Sequence, residues 1–289
     1  MDSTQPSFLA RHDFLIRRLH SLSGLIPVGA YMVVHLSVNA SVLNGPGTFQ
    51  NNVYKIHSLG GLLPFVEWTF IFIPILFHAI VGMAIVGGAL PNTHNYRYAA
   101  NYRYTLQRAT GVIAFFFIMW HVFHMHGWFH SEAWMENVAK PLDGANFKPY
   151  NATSTAGTAL LGVGMALFYV VGILASVYHL ANGIWTMGIT WGVWTSPKAQ
   201  QRASAVCAVF GIVLATVGLA AEWGVRNAVS TPEKLEAVRQ QEATMLKANI
   251  ATGAVVPDEH KEWRPEQAES DGEQEASLHG SEAEMTESR

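Results

Sequence analysis

The sequence predicts an all-α integral membrane protein: a bundle of five transmembrane helices followed by an acidic tail. Two observations carry that prediction. Only 13% of the 289 residues are charged and 50% are hydrophobic, whereas about a quarter of a soluble domain is charged. The charges are also segregated, leaving uncharged stretches over residues 22–43, 68–90, 109–131, 158–185 and 203–221. Each is about the length needed to cross a hydrocarbon core of ~30 Å at ~1.5 Å per residue.

The first stretch follows Arg17-Arg18-Leu19-His20-Ser21 and ends at Asn44-Gly45-Pro46-Gly47, a strong breaker. Arginines before an apolar run also occur in secretory leaders. This run exceeds the roughly 7–15 residues of a leader core, so an uncleaved first helix is expected. The second stretch contains Pro74 four residues before His78 and is closed by Pro91-Asn92. A membrane bundle tolerates such a proline, and a bend near the histidine is expected.

A loop with Arg97, Arg103 and Arg108 among Tyr96, Tyr98, Tyr102 and Tyr104 has the composition of a membrane surface. The third stretch carries His121, with His124, His126 and His130 towards its far end, where a partly solvated, interfacial role is expected. Residues 149–197 are uncharged throughout, too long for one simple span. The fourth crossing is placed at 158–185, with Trp191 and Trp194 beyond it as interface anchors. The fifth contains Cys207 and no histidine. A single cysteine excludes an intrachain disulfide and a cysteine-ligated cluster.

Arg11, Arg17, Arg18, Arg97, Arg103, Arg108, Lys198 and Arg202 fall on one side of the bundle; Lys55, Lys140, Lys148 and Arg226 fall on the other. The positive-inside rule then puts the N-terminus in the cytoplasm and, after five spans, the C-terminus outside. From residue 227 onward 14 acidic and 6 basic residues give a net charge of −8, against +5 for residues 1–226. In this tail Thr231-Pro232-Glu233 opens one short amphipathic helix with Leu235, Val238, Met245 and Leu246. The composition after Pro257 predicts disorder.

The chemistry lies in the first four spans, each of which holds one deep histidine: His35, His78, His121 and His179. Polar groups at that depth need partners. Neutral imidazole ligates haem iron, and two imidazoles from facing helices fill both axial positions. Four such histidines would hold two b-type haems, one above the other, between the first four helices. Counted along alternating spans, His35 and His121 lie roughly 18–20 Å from the cytoplasmic face, which pairs them and leaves His78 for His179. Gly82 and Gly183, one turn after His78 and His179, are the candidate spaces for a flat macrocycle. Arg18, His20, Ser21 and Arg108, at the cytoplasmic ends of spans I and III, are the candidate propionate contacts, although the positive-inside bias alone also places arginines there. Glu67 at the outer mouth of span II is either a proton relay near a quinone or an acid facing water.

The motifs also carry a family likeness. Arg17-Arg18-Leu19-His20-Ser21 with Gly24, Pro27, Val28, Gly29 and His35-Leu36; His78-Ala79 with Gly82; Leu106-Gln107-Arg108 with Thr110-Gly111 and Trp120-His121-Val122; and His179 with Asn182-Gly183 and Thr190-Trp191-Gly192 follow in order along residues 14–226. This pattern resembles the dihaem cytochrome b membrane subunit of succinate dehydrogenase/fumarate reductase, of the single-subunit, five-helix, menaquinone-linked kind. The resemblance implies a flavoprotein subunit and an iron–sulfur subunit docked on the cytoplasmic face of a bacterial inner membrane. It implies electron passage through the His78/His179 haem and then the His35/His121 haem to menaquinone, with succinate chemistry on another chain. Some relatives carry an acidic residue two positions before the fourth ligand; Val177 stands there, so that proton route is unsupported. The tail from residue 227 lies outside the resemblance.

The alternatives are the quinone-linked cytochrome of a hydrogenase or nitrate reductase, and a transporter with histidines in its substrate path. Paired histidines about four helical turns apart on one helix would indicate a bc-type cytochrome, but here each of the first four spans has one deep histidine. A transporter predicts internal repeats, and none is visible. No nucleic-acid partner is expected.

Overall fold

The computed structural model describes residues 8–88 and 93–264. Within them the fold is all-helical, with no strand among the described residues. Five helices are long and apolar enough to cross a membrane: α1 (Arg11–Asn44), α3 (Gly60–Gly87), α4 (Ala99–His126), α6 (Val163–Thr190) and α7 (Pro197–Ala228). Three shorter helices, α2 (Pro46–His57), α5 (Ala152–Ala159) and α8 (Pro232–Ala251), gather at the end of the bundle opposite the N-terminus. The proline stop expected at Pro91-Asn92 lies outside the described residues.

Two crossings widen into π-helical turns, and proline explains both. In α1 the turn covers Gly24–Gly29 and contains Pro27, whose missing N–H and ring bulk the wider turn accommodates. In α3 it covers Trp68–Phe72, and α-helical geometry resumes at Ile73, so the wider turn lies directly before Pro74 and accommodates its missing N–H. The widened turn thus falls before His78.

Helix ends differ from expectation where polar residues remain helical. Helix α4 begins at Ala99, ten residues before the apolar stretch at 109, so Arg103 and Arg108 sit on its first turns. It stops at His126 rather than residue 131 because Gly127 adopts a left-handed conformation (φ 84°), its N–H bonding the carbonyls of Val122 and Phe123. Helix α6 is shifted about five residues later than 158–185, and the residues before it form the separate helix α5.

Helix α6 is the most enclosed crossing, packed between α4 and α7, while α7 also lies along α1. Ile173, Val177 and Leu214 form one core with Met32, Val33 and Leu36 of α1. Glycine lets the rods approach: a Cβ at Gly172 would lie 2.1 Å from the Phe117 ring, and one at Gly218 would lie 2.8 Å from Ile173. Ile26, Val34, Ile80, Val163, Val171, Val206 and Ile212 face outward. Such an apolar belt would be anomalous in water and is the lipid-facing surface of a membrane bundle.

The tail returns to the bundle. Thr231 caps α8 by accepting from the Lys234 N–H, and Pro232 opens the helix as the sequence predicts. Its buried face is Val238, Glu242 and Leu246, spaced four residues apart. The disorder expected after Pro257 does not begin there. Residues 258–264 include a 3₁₀ turn, the Trp263 N–H donates to Asn151 Oδ1, and the Arg239 guanidinium lies 3.7 Å over the Trp263 ring. These contacts across α5 and α8 hold the segment down; residues 265–289 lie outside the described residues.

Candidate haem-ligating site

The four deep histidines meet as two pairs, each bridging different crossings. His35 on α1 faces His121 on α4 with ring centroids 5.8 Å apart and planes at 75°. His78 on α3 faces His179 on α6 at 6.0 Å and 82°. Along α1, Gly24 packs on the His78 ring and His35 follows eleven residues later; along α4, Gly111 packs on His179 and His121 follows ten residues later. Both routes separate the pairs by about 15 Å along the bundle axis.

Backbone carbonyls orient the pair nearer the arginine-rich end. His78 Nδ1 lies 2.9 Å from the His20 carbonyl oxygen and His179 Nδ1 lies 3.0 Å from that of Gln107. An Nδ1–H donated to a carbonyl leaves the Nε2 lone pair for a metal. In the other pair, His121 Nδ1 lies 3.2 Å from the Tyr169 hydroxyl. His35 differs: its Nε2 is 3.4 Å from the Asn39 amide nitrogen, a weak contact at the edge of hydrogen-bond distance.

The model for the succinate dehydrogenase/fumarate reductase transmembrane subunit matches residues 90–220. Over 212 residues the chain is 34% identical to the succinate dehydrogenase cytochrome b558 subunit of Bacillus subtilis (strain 168), a match covering 72% of this chain and 95% of that one. The chain belongs to the succinate dehydrogenase/fumarate reductase transmembrane subunit family. It is a membrane-anchoring, electron-transferring cytochrome b subunit of that family, an integral membrane protein.

In this cytochrome b subunit the glycines expected to leave room for the macrocycle differ in their surroundings. The space beside Gly82 is taken by His20, whose Nε2 would be 3.1 Å from a Cβ there, and Gly183 has only an ordinary contact with Gln107. The close approaches come from neighbouring helices. A Cβ at Gly24 would lie 2.3 Å from His78 Cε1, and one at Gly111 would lie 2.8 Å from His179 Cε1.

Of the four candidate propionate contacts, His20 is brought against a deep histidine. Its ring stacks on His78 at 4.1 Å and 15°, and its Nε2 is buried without a hydrogen-bond partner. Arg18 lies over the Phe14 and Trp191 rings, Ser21 donates to the Arg17 carbonyl, and Arg108 lies over Tyr104 and donates to the Ile85 carbonyl at 3.4 Å.

Two polar networks escaped the sequence reading. Arg103 donates to Asn182 Oδ1 (3.0 Å) and Ser204 Oγ (2.9 Å) and stacks over Trp185; Asn182 donates to Gln107 Oε1 (2.8 Å), and Gln107 donates to the His179 carbonyl (3.0 Å). Helical spacing was the available signal, since Arg103, Gln107 and Gly111 recur every four residues on α4. The second network corrects an expectation. His124 is not partly solvated but fully buried, bonded through Nδ1 to the Tyr169 hydroxyl at 2.8 Å. His126 and His130 do meet at the end of α4, with ring centroids 4.4 Å apart.

Proposed function

We propose that this chain is the dihaem conductor of a menaquinone-linked succinate dehydrogenase, with His35/His121 and His78/His179 as the two axial ligand pairs. The observation that carries the reading is the pair geometry. Imidazole nitrogens about 2.0–2.1 Å from a shared metal, with roughly 1.1 Å from nitrogen to ring centre, put the centroids about 6.3 Å apart. The observed 5.8 and 6.0 Å lie within a few tenths of an ångström of that value. The donor set fits iron in haem: two neutral imidazoles per site and a buried His20 Nε2 with hydrogen-bonding capacity to spare.

Each bound haem would supply a one-electron carrier. The protein's part is to fix the four rings, seal them in an apolar sheath and set their spacing along the membrane normal. Gln107 and the His20 carbonyl orient one pair, and Tyr169 contacts the other. The charge bias supports a cytoplasmic arginine-rich end, where the flavoprotein and iron–sulfur subunits dock, with the tail outside. His78/His179 would hold the haem nearer the arginine-rich end and His35/His121 the one farther from it, so the pairs would supply an order of electron carriers from the succinate-oxidising side towards menaquinone. Menaquinone and the two partner subunits rest on the resemblance to the single-subunit, five-helix kind of anchor. The bacterial relative supports the cytoplasmic membrane of a bacterium as the location.

The test is a reduced-minus-oxidised spectrum with a pyridine haemochrome count on the purified chain. Two b-type haems per chain are expected; a haem-free protein would overturn the reading.

A further inference from the structure

We infer that Tyr169 and His124, backed by Asp143, are positioning residues that fix the His121 ring and tune the centre it serves. This rests on His121 being an axial ligand, as proposed above. The Tyr169 side chain is enclosed (4% exposed), and its hydroxyl lies between two imidazoles, 3.2 Å from His121 Nδ1 and 2.8 Å from His124 Nδ1. A hydroxyl has one proton to donate and lone pairs to accept with. If His121 ligates through Nε2, its Nδ1 carries a proton and donates to Tyr169. The Tyr169 O–H is then directed to His124 Nδ1, which requires the proton of a neutral His124 to be on Nε2. Asp143 Oδ2 lies 3.6 Å from that nitrogen, beyond hydrogen-bond distance, and is the carboxylate beside it. One proton arrangement therefore fits both Tyr169 contacts, and it leaves the His124 Nε2–H beside a carboxylate whose side chain is 69% exposed.

The loop that presents Asp143 is built to hold it there. Asp143 and Ala145 have left-handed backbones (φ 55° and 61°), a conformation that is costly for alanine. The Ala145, Asn146 and Phe147 N–H groups donate to the carbonyls of Phe123, His124 and Met125, the last turn of α4. The Asn146 amide donates to Asp143 Oδ1 at 3.1 Å, which leaves Oδ2 turned to His124. An acceptor chain of this kind makes a ligating imidazole more basic and stabilises the oxidised metal.

The measurements are a redox titration and low-temperature EPR of both haems in the assembled membrane complex. Tyr169→Phe is expected to raise the midpoint potential of the His35/His121 haem and move its low-field g value, with the other haem unchanged. Asp143→Asn, at an exposed position, is expected to shift the potential in the same direction by less, and it decides the matter if the Phe variant fails to assemble. Both haems present with potential and g value unmoved would overturn the inference while leaving the ligand assignment intact. Retention of two haems in His121→Ala would instead overturn that assignment.

Discussion

Gly24 on α1 and His78 on α3 are in direct contact, backbone to ring, with no space for a β-carbon between them. A methyl group at position 24 would lie 2.3 Å from His78 Cε1 and 2.5 Å from Nδ1. The same Nδ1 is bonded to the His20 carbonyl one turn earlier on α1, so the ring is fixed by two points of a single helix. Gly24→Ala must therefore push the ring off that carbonyl or push α1 away from α3. The expected outcome is one haem per chain instead of two, read by haemochrome, with the His35/His121 spectrum retained. Gly111→Ala, facing His179 at 2.8 Å, is expected to lose the same haem.

The pairing across helices makes a stricter prediction about the ligands themselves. If His78 and His179 serve one centre, as proposed, each of His78→Ala and His179→Ala is expected to leave one haem and the double variant of these two still one. His78→Ala with His121→Ala removes one ligand from each pair and is expected to leave none. One haem surviving in that cross-pair variant would refute the pairing. Difference spectra of membranes from the four strains provide the readout.

The spans were legible because the bilayer imposes a simple rule on charge, and the sequence obeys it over five stretches. Their ends were less so. Arg103 and Arg108 looked like loop residues, yet a helix that projects past the membrane carries cations without difficulty, and the stop of α4 depends on one left-handed glycine, Gly127. Depth counting brought His35 to His121 and His78 to His179, and the rings do face one another. The cross-helix neighbours of those rings were not legible, for a physical reason. Spacing of four, as in His78 and Gly82, tells which residues share a helix face, but not which residue of another helix is opposite. Gly24, Gly111 and Tyr169 reach their histidines across helix interfaces, where register is decided by packing. His124 had a local signal: it is three residues from His121 and shares its face of α4.

The tail is anchored by a buried carboxylate. Glu242 is 1% exposed and accepts from the Thr153 and Ser154 N–H groups, at 2.8 and 3.1 Å, and from the Ser154 hydroxyl. It thereby satisfies the free donors at the start of α5, at the positive end of that short helix. Glu242→Ala strands those donors beneath α8, at a cost of about 1–3 kcal/mol. The expected result is faster proteolytic removal of the segment after residue 229, with haem content unchanged. Glu242→Gln retains an acceptor oxygen and is expected to lose less.

Acid should loosen the same tail through His57. This ring ends α2, its Nδ1 is buried without a hydrogen-bond partner, and burial lowers its pKa to about 4, helped by Lys261 and opposed by Asp258. His126 is a further neighbour that feels its charge. An open imidazole titrates near 6.5, so the neutral buried ring favours the packed state at pH 7. That contribution declines as pH falls below about 6.5 and is gone below about 4. Glu242 has the opposite sign: burial raises its pKa, so the packed state takes up a proton there more readily than the open one and acid does not weaken packing through it. The tail of the wild-type chain is therefore expected to become more protease-sensitive between pH 7 and pH 5. His57→Asn, which cannot take up a proton, is expected to flatten that dependence. An equally steep profile in the variant would assign the acid response to another group.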